Sequence, residues 1–247
     1  VSAFVRIPRL ANPKIVIRLA QNPEEIKAAD QLVYRNYVNR ILPDDVEAFR
    51  KNRYLSSPAR HVGVAVEAGR IIATLSMVED SPLGLPSDAF RPELLRHFRR
   101  VKSRLGEMSC FATDQSVRHP MNVVMFLFKF FFEYNFYYAN IDRMVASCRM
   151  RHADFYEKHL GFEKLMPAFT HPYADDMVCQ FVTLDMLAVH ARVSCRYRED
   201  ATDDLHRFFM VDEHPNVRLP ADRRRLSRAP ARNRAMLAES REAEGVV

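Results

Sequence analysis

Residues 151–163 read RHADFYEKHLGFE, from Arg151 to Glu163. Arg151 to Leu160 reads as a short helix. Gly161 stops it, because glycine accepts the left-handed conformation that closes a helix. His152 and Tyr156 stand four residues apart and so share a helix face. Phe155 and Tyr156 supply a surface for packing on a sheet. The preceding segment, Arg143 to Cys148, reads as a strand, and Met177 to Leu184 reads as the last strand. A short helix set between strands gives this half of the chain an α/β character.

Further toward the N terminus, Met121 to Tyr138 is an aromatic-rich helix with Pro120 at its start. It is apolar nearly all round, which predicts burial on more than one side. Gly106 to Asp114, GEMSCFATD, reads as a strand, and Ala89 to about Val101 as a helix. Glu79 to Asp88, EDSPLGLPSD, is a loop punctuated by proline and glycine. Its apolar Leu83 and Leu85 suit a rigid connection over the core or a wall of a binding site. Arg60–Glu67 and Arg70–Val78 form a hairpin around Ala68 and Gly69. Lys14 to Ala20 is a strand. Asn22 then caps a helix that starts at Pro23 and runs to about Arg40, with Glu24 and Glu25 at its positive end. Ile26, Ala29, Leu32, Val33 and Tyr37 fall on one stripe of it. Pro43 to Asp45 begins a looser segment. These elements predict a mixed sheet flanked by helices over residues 14–186. Residues 187–247 form a C-terminal extension, helical from Thr202 to Met210, then basic and mobile beyond Pro220.

The 247 residues are 48% apolar and 28% charged, which excludes collagen-like and wholly disordered chains. A core of this size needs no disulfide or metal staple. The four cysteines, Cys110, Cys148, Cys179 and Cys195, lack zinc-ligand spacing, so free thiols and no metal are expected. Val123 to Phe132 is the longest apolar stretch, too short for a membrane span and broken by Lys129. No signal-peptide pattern is present, and a cytoplasmic location is expected. The net charge of +6 suits nucleic acid, an acidic membrane or an acidic protein. Only six glycines occur. None lies in Gln115–Asn122, QSVRHPMN, the connection after the central strand. A glycine-rich cradle for a coenzyme A pyrophosphate is therefore not expected. A tethered donor with a single phosphodiester suits Arg118 and the helix N-terminus instead.

Three stretches together carry a resemblance. RHADFYEKHLGFE is similar to the closing signature of the GCN5-related N-acetyltransferase fold, where a short helix bears Phe-Tyr and ends in Leu-Gly-Phe. With Asp80–Asp88, DSPLGLPSD, and Glu107–Asp114, EMSCFATD, the chain resembles the long-chain N-acyl amino acid synthases. These are relatives of the acyl-homoserine lactone synthases. The resemblance spans about residues 15–186. It implies a GCN5-related N-acetyltransferase-like mixed sheet. It also implies transfer of a long-chain acyl group from acyl carrier protein to the amine of an amino acid or related acceptor. The phosphopantetheine arm would be a co-substrate, with no permanently bound cofactor. An acidic carrier protein suits the basic chain, including Arg96, Arg99, Arg100, Lys102 and the tail; nucleic acid is not the expected partner. The alternatives are an acyl-homoserine lactone synthase, against which the absence of tryptophan counts, and a catalytically degenerate acyl-binding relative. The chain departs from the family pattern at Val33 and Cys110, where arginine is expected.

The resemblance implies residue roles. Glu107 would be the general base for the acceptor amine; by spacing alone it could equally pair with Arg100 or Arg104. Strand alternation puts Glu107, Ser109, Phe111 and Thr113 on one face. Tyr156 and His152 would donate a proton to the leaving thiolate. A backbone N–H near Phe111 or Ala112 would stabilise the oxyanion, and Arg118 and Asn122 would hold the donor. Tyr34, Arg35, Tyr37 and Ser109 would line the acceptor site. Met125, Phe128 and Phe132 are the candidates for an acyl pocket. Arg35, Arg149 and Arg151 are the cations available to an acceptor carboxylate.

Overall fold

The computed structural model describes residues 8–37, 54–172, 177–189, 208–209 and 212–221. The expected ends of the first helix beyond Tyr37, the segment at Pro43, most of Thr202–Met210 and the arginine-rich tail lie outside the described residues.

The chain begins with strand β1 (Val16–Leu19) and helix α1 (Pro23–Tyr37). Asn22 Oδ1 accepts the Glu25 N–H at 2.9 Å, and Glu25 reaches back to the Gln21 N–H at 2.8 Å. Both donors would otherwise be left open at the helix start. The hairpin β2 (Arg60–Glu67) and β3 (Arg70–Glu79) turns through Ala68 and Gly69, both at positive φ, as a tight antiparallel turn requires. A 3-10 turn (Pro86–Ala89) and helix α2 (Pro92–Arg100) follow. The helix expected from Ala89 is thus shorter, because Arg91 precedes a proline and is held out of the helical region. Next come β4 (Leu105–Thr113), α3 (Pro120–Tyr137), β5 (Arg143–Arg149) and α4 (Met150–Leu160). Gly161 closes α4 at φ 73°, with the Phe162 N–H returning to the Tyr156 carbonyl at 3.0 Å. Two-residue strands β6 (Glu163–Lys164) and β7 (Phe169–Thr170), too short to read from sequence, precede β8 (Val178–Asp185).

The sheet runs β1-β2-β3-β4-β5-β8-β6, with β7 also on β8. All described neighbours are antiparallel except β4 and β5. This is the expected mixed sheet flanked by helices. The parallel pairing runs only from Leu105–Met108 against Arg143–Ala146. Beyond it β4 stays with β3 and β5 stays with β8, so the two central strands part and open a notch.

Helix α3 fills one side of the sheet. Phe128, Phe130 and Phe131 are fully buried, together with Lys129. The Lys129 ammonium is tolerated there because Glu133 lies 2.5 Å away. Part of the cover on α3 comes from Phe208, which meets Phe126 edge-on, and Phe209, which packs at a tilt against Phe132. Residues 216–218 run parallel to β1, Asn216 accepting from the Ile17 N–H at 2.7 Å and Arg218 donating to the Ile17 carbonyl at 2.8 Å. Among the described residues no helix is long and apolar enough to cross a membrane.

Candidate active site

Glu107 sits on β4 one residue before the notch and is 3% exposed. Its strand neighbours are Val78 and Val145, both apolar. Its partner is neither Arg100 nor Arg104 but Ser87 in the 3-10 turn. The Ser87 N–H donates to Oε2 at 2.9 Å and the Ser87 hydroxyl to Oε1 at 2.7 Å. Burial, partly offset by the two Ser87 bonds and aided by the Asp88 charge, pushes the carboxyl up to about 7. A carboxylate poised near neutrality can take a proton and release it again at working pH.

Past Glu107 the strand bulges. Ser76 of β3 pairs with Ser109, but Thr74 pairs with Ala112, so β4 carries one extra residue. Cys110 takes up the bulge at φ 53°, a left-handed conformation. This corrects the alternation expected from the sequence. Phe111 turns to the α3 side, while Cys110 and Ala112 pack with Leu32 and Val33 of α1. Burial pushes the Cys110 thiol up, and the Arg60 charge and Ser109 draw it down. The bulge also leaves Phe111 out of the β3 register, and its backbone bears on the Tyr37 phenol. Sequence could name this neighbourhood but not the bulge, since no residue type marks it.

Tyr37 of α1 and Tyr156 of α4 come within electrostatic range of each other across the notch. Burial is the main cause that pushes both phenols well above the usual tyrosine range, so both stay protonated. Phe128 meets Tyr156 edge-on at 5.6 Å. Met125 and Phe132 are buried in the same core, Phe132 against Phe209 at 5.0 Å. His152 does not share the Tyr156 environment. It is exposed at the start of α4, where the Arg151 Nε–H donates to its Nε2 at 3.2 Å. Partial burial and the Arg151 and Arg149 charges hold its imidazole below the usual histidine range.

The cations separate. Arg35 is exposed and acts on Asp114, away from Cys110. Arg151 is exposed beside His152. Arg149 bears on Tyr37 and donates to the Met177 sulfur at 3.0 Å. Sequence reasoning passed over Arg60, whose side chain is 3% exposed. Its guanidinium holds Asp30 by two bonds, of 2.6 and 3.3 Å, and bears on Cys110. Tyr34 is half-buried on α1. Ser87 was also missed; it lies in the loop punctuated by proline and glycine, but nothing local singles out that serine.

At the other end of the notch, Arg118 is exposed just before α3. Ser116 donates from both its N–H and its hydroxyl to Asp114, which closes the turn that a glycine loop would otherwise form. The Asn122 amide is engaged by the Arg9 carbonyl at 2.5 Å. Among the described residues no group of three or more histidine, cysteine, aspartate or glutamate side chains is placed to hold a metal ion.

The family model of N-acyl amino acid synthase FeeM matches residues 28–185. Among solved structures the chain is similar to FeeM, an N-acyl amino acid synthase from uncultured soil microbes. That match has 22% identity and a TM-score of 0.61, covering 71% of this chain and 93% of that one. It is also similar to mutant forms of the spermidine/spermine N-acetyltransferase SpeG from Vibrio cholerae. There the identity is 11% and the TM-score 0.51, over 73% of this chain and 99% of that one. Both likenesses bear on the fold, which is that of the GCN5-related N-acetyltransferases. Comparison with curated protein sequences returns no match.

Proposed function

Since this chain belongs to the FeeM family of N-acyl amino acid synthases and is an N-acyltransferase, we propose that it moves a long-chain acyl group from acyl carrier protein to the amine of an amino acid or related acceptor. The observation that carries this reading is Glu107, a buried carboxylate poised near neutral pH beside the notch and its bulge. In this reading Glu107 takes a proton from the acceptor ammonium, directly or through a water. The freed amine attacks the thioester carbonyl and forms the carbon–nitrogen bond. The Phe111 N–H, left out of the β3 register by the bulge, then serves the oxyanion. As the carbon–sulfur bond breaks, the thiolate takes a proton from the Tyr156 phenol, the phenolate so formed takes the remaining extra proton from the nitrogen to leave a neutral amide, and Glu107 releases its proton to water. His152 lies too far toward solvent to share it.

On the donor side, a phosphopantetheine arm brings one phosphodiester. Arg118, exposed just before α3, and the N-terminus of that helix are proposed to hold it. Met125, Phe128 and Phe132 are proposed to line the acyl chain. The carrier protein is held by charge, so its binding weakens as salt rises. The reaction needs no resident cofactor, and cytoplasmic acyl carrier protein is the expected source of donor.

The test is direct. Purified protein is given a long-chain acyl carrier protein thioester with phenylalanine, phenethylamine or S-adenosylmethionine, and the products are read by mass spectrometry. Fatty amides are expected. A lactone formed from S-adenosylmethionine would assign the chain to lactone synthesis instead. Acyl-chain binding without product would mark it as a degenerate relative.

A further inference from the structure

We propose that Ser87 is a positioning residue for the base: its N–H and hydroxyl hold the Glu107 carboxylate in one orientation and set the pH at which it ionises. The inference rests on the reading of Glu107 as general base and names what controls it.

The geometry is a clamp. Each carboxylate oxygen receives one Ser87 donor, at 2.9 and 2.7 Å, and Ser87 is fully buried. The turn that carries it is itself fixed. The Leu85 N–H donates to Asp88 at 2.8 Å, and the Tyr54 hydroxyl donates to the Leu85 carbonyl at 2.8 Å. Arg99 of α2 then bridges Asp80 and Asp88, with bonds between 2.5 and 2.8 Å. The ends of the loop are thereby tied together, and Ser87 cannot drift from Glu107 without breaking that bridge.

The chemistry favours serine here. A carboxylate needs donors, but a carboxylic acid needs an acceptor for its own proton. A hydroxyl rotates and serves both states, whereas a backbone N–H serves only the first. A base that gains and loses a proton in each turnover gains from such a partner. The other groups bearing on Glu107 are few. Asp88 in the same turn raises its proton affinity, and Arg99 pairs that aspartate. Cys110 shares its strand and is neutral, because burial pushes the thiol up. Val78 and Val145 on the flanking strands carry no charge. The hydroxyl of Ser87 is thus the adjustable part of the environment.

The experiment is an infrared titration of the free protein. The protonated-carboxyl band that vanishes in Glu107→Gln is assigned to Glu107, and its midpoint is followed in wild type, Ser87→Ala and Ser87→Thr. Removing one donor from the carboxylate is expected to raise the midpoint by about one pH unit in Ser87→Ala. Ser87→Thr, which keeps the hydroxyl, is expected to restore it. The acid limb of acyl transfer to phenethylamine should move by the same amount. If Ser87→Ala fails to fold, Ser87→Cys, close in size with a weak donor, carries the same expectation. A midpoint unchanged in a folded Ser87→Ala or Ser87→Cys protein would overturn the proposal. A midpoint that moves while the acid limb stays would overturn the assignment of Glu107 as base, and with it the positioning role. Full turnover in Glu107→Gln would do the same.

Discussion

Val33 on α1 and Cys110 on β4 lie in one small apolar cluster with Leu32 and Ala112. The resemblance implies arginine at both positions, so two expected charges are absent from a single place. The Arg60 guanidinium stands beside it but is committed to Asp30. An acceptor carboxylate placed near Cys110 would therefore lack a free guanidinium fork, and a desolvated carboxylate without a cation is costly.

The cation still placed to help is Arg149, which bears on Tyr37 across the notch. In a comparison of phenylalanine with phenethylamine, the wild type is expected to show little preference for the amino acid. Whatever preference exists should fall in Arg149→Ala and survive Arg35→Ala and Arg151→Ala. Arg35 faces Asp114, and Arg151 is exposed beside His152. A strong preference for phenylalanine that survives all three substitutions would show that another group holds the carboxylate.

Glu107→Gln should abolish amide formation while the fold persists. The amide can accept from the Ser87 N–H with its oxygen and donate to the Ser87 hydroxyl oxygen, so the clamp is kept. Loss of a general base lowers turnover by roughly 100- to 10,000-fold. In the wild type, activity should rise with pH through about 7, as Glu107 ionises. Steady-state rates of thiol release across pH 5–9 check both expectations.

The same residue predicts a stability difference. Its folded proton affinity is raised to about 7, above the ordinary glutamate value. The native state therefore holds a proton that the unfolded chain has released between pH ~4.5 and ~7. The stabilisation is present below that window and is lost as pH rises through it. Glutamine does not ionise and escapes the loss. Glu107→Gln should thus gain on the wild type by up to about 3 kcal/mol between pH 4.5 and 8. Parallel denaturant curves for the two proteins at both pH values would refute this.

Part of the site was legible because its chemistry is local. Glu107 and Tyr156 stand in recognisable stretches, and the absence of glycine from Gln115–Asn122 is visible in the letters themselves. The bulge was not legible: Cys110 is an ordinary strand residue, and its φ of 53° is imposed by the β3 register and the packing of α1. For that reason the alternation from Glu107 to Phe111 failed between Ser109 and Phe111. His152 and Tyr156 share a helix face by spacing, yet one end of that face is covered and the other is open. Ser87 and Arg60 were invisible for a related reason. Each acts through a partner 20 or 30 residues away, Glu107 and Asp30 respectively.

The bulge has its own test. A β-branched residue fits the left-handed region poorly, at a cost of about 1–2 kcal/mol beyond any change in packing. Cys110→Val should therefore lose roughly 2–3 kcal/mol, crowding included. Glycine relieves the strain but gives up buried contacts and loosens the unfolded chain, so Cys110→Gly should lie within about 1 kcal/mol of the wild type. Urea unfolding of the three proteins decides the matter. Equal losses for valine and glycine would mean that position 110 is not held in the left-handed region.

Phe208 supplies the last expectation. Its ring is fully buried and meets Phe126 edge-on at 5.1 Å and Phe209 at 5.1 Å, with His214 at 5.0 Å. The Lys129 ammonium lies 5.6 Å over the same ring, so the aromatic face helps to hold a charge that burial penalises. Phe208→Ala opens a large cavity beside α3 and removes that support. A loss of about 3–5 kcal/mol is expected. The effect should reach β1 as well, because residues 216–218 pair with Ile17 and depend on the same docking. The Ile17 and Arg218 amides should exchange hydrogen faster in the variant, while the Gly63 and Leu75 amides in the middle of the hairpin stay protected. An unchanged melting temperature, with unchanged exchange at Ile17, would show that residues 208–218 do not contribute to holding α3 on the sheet.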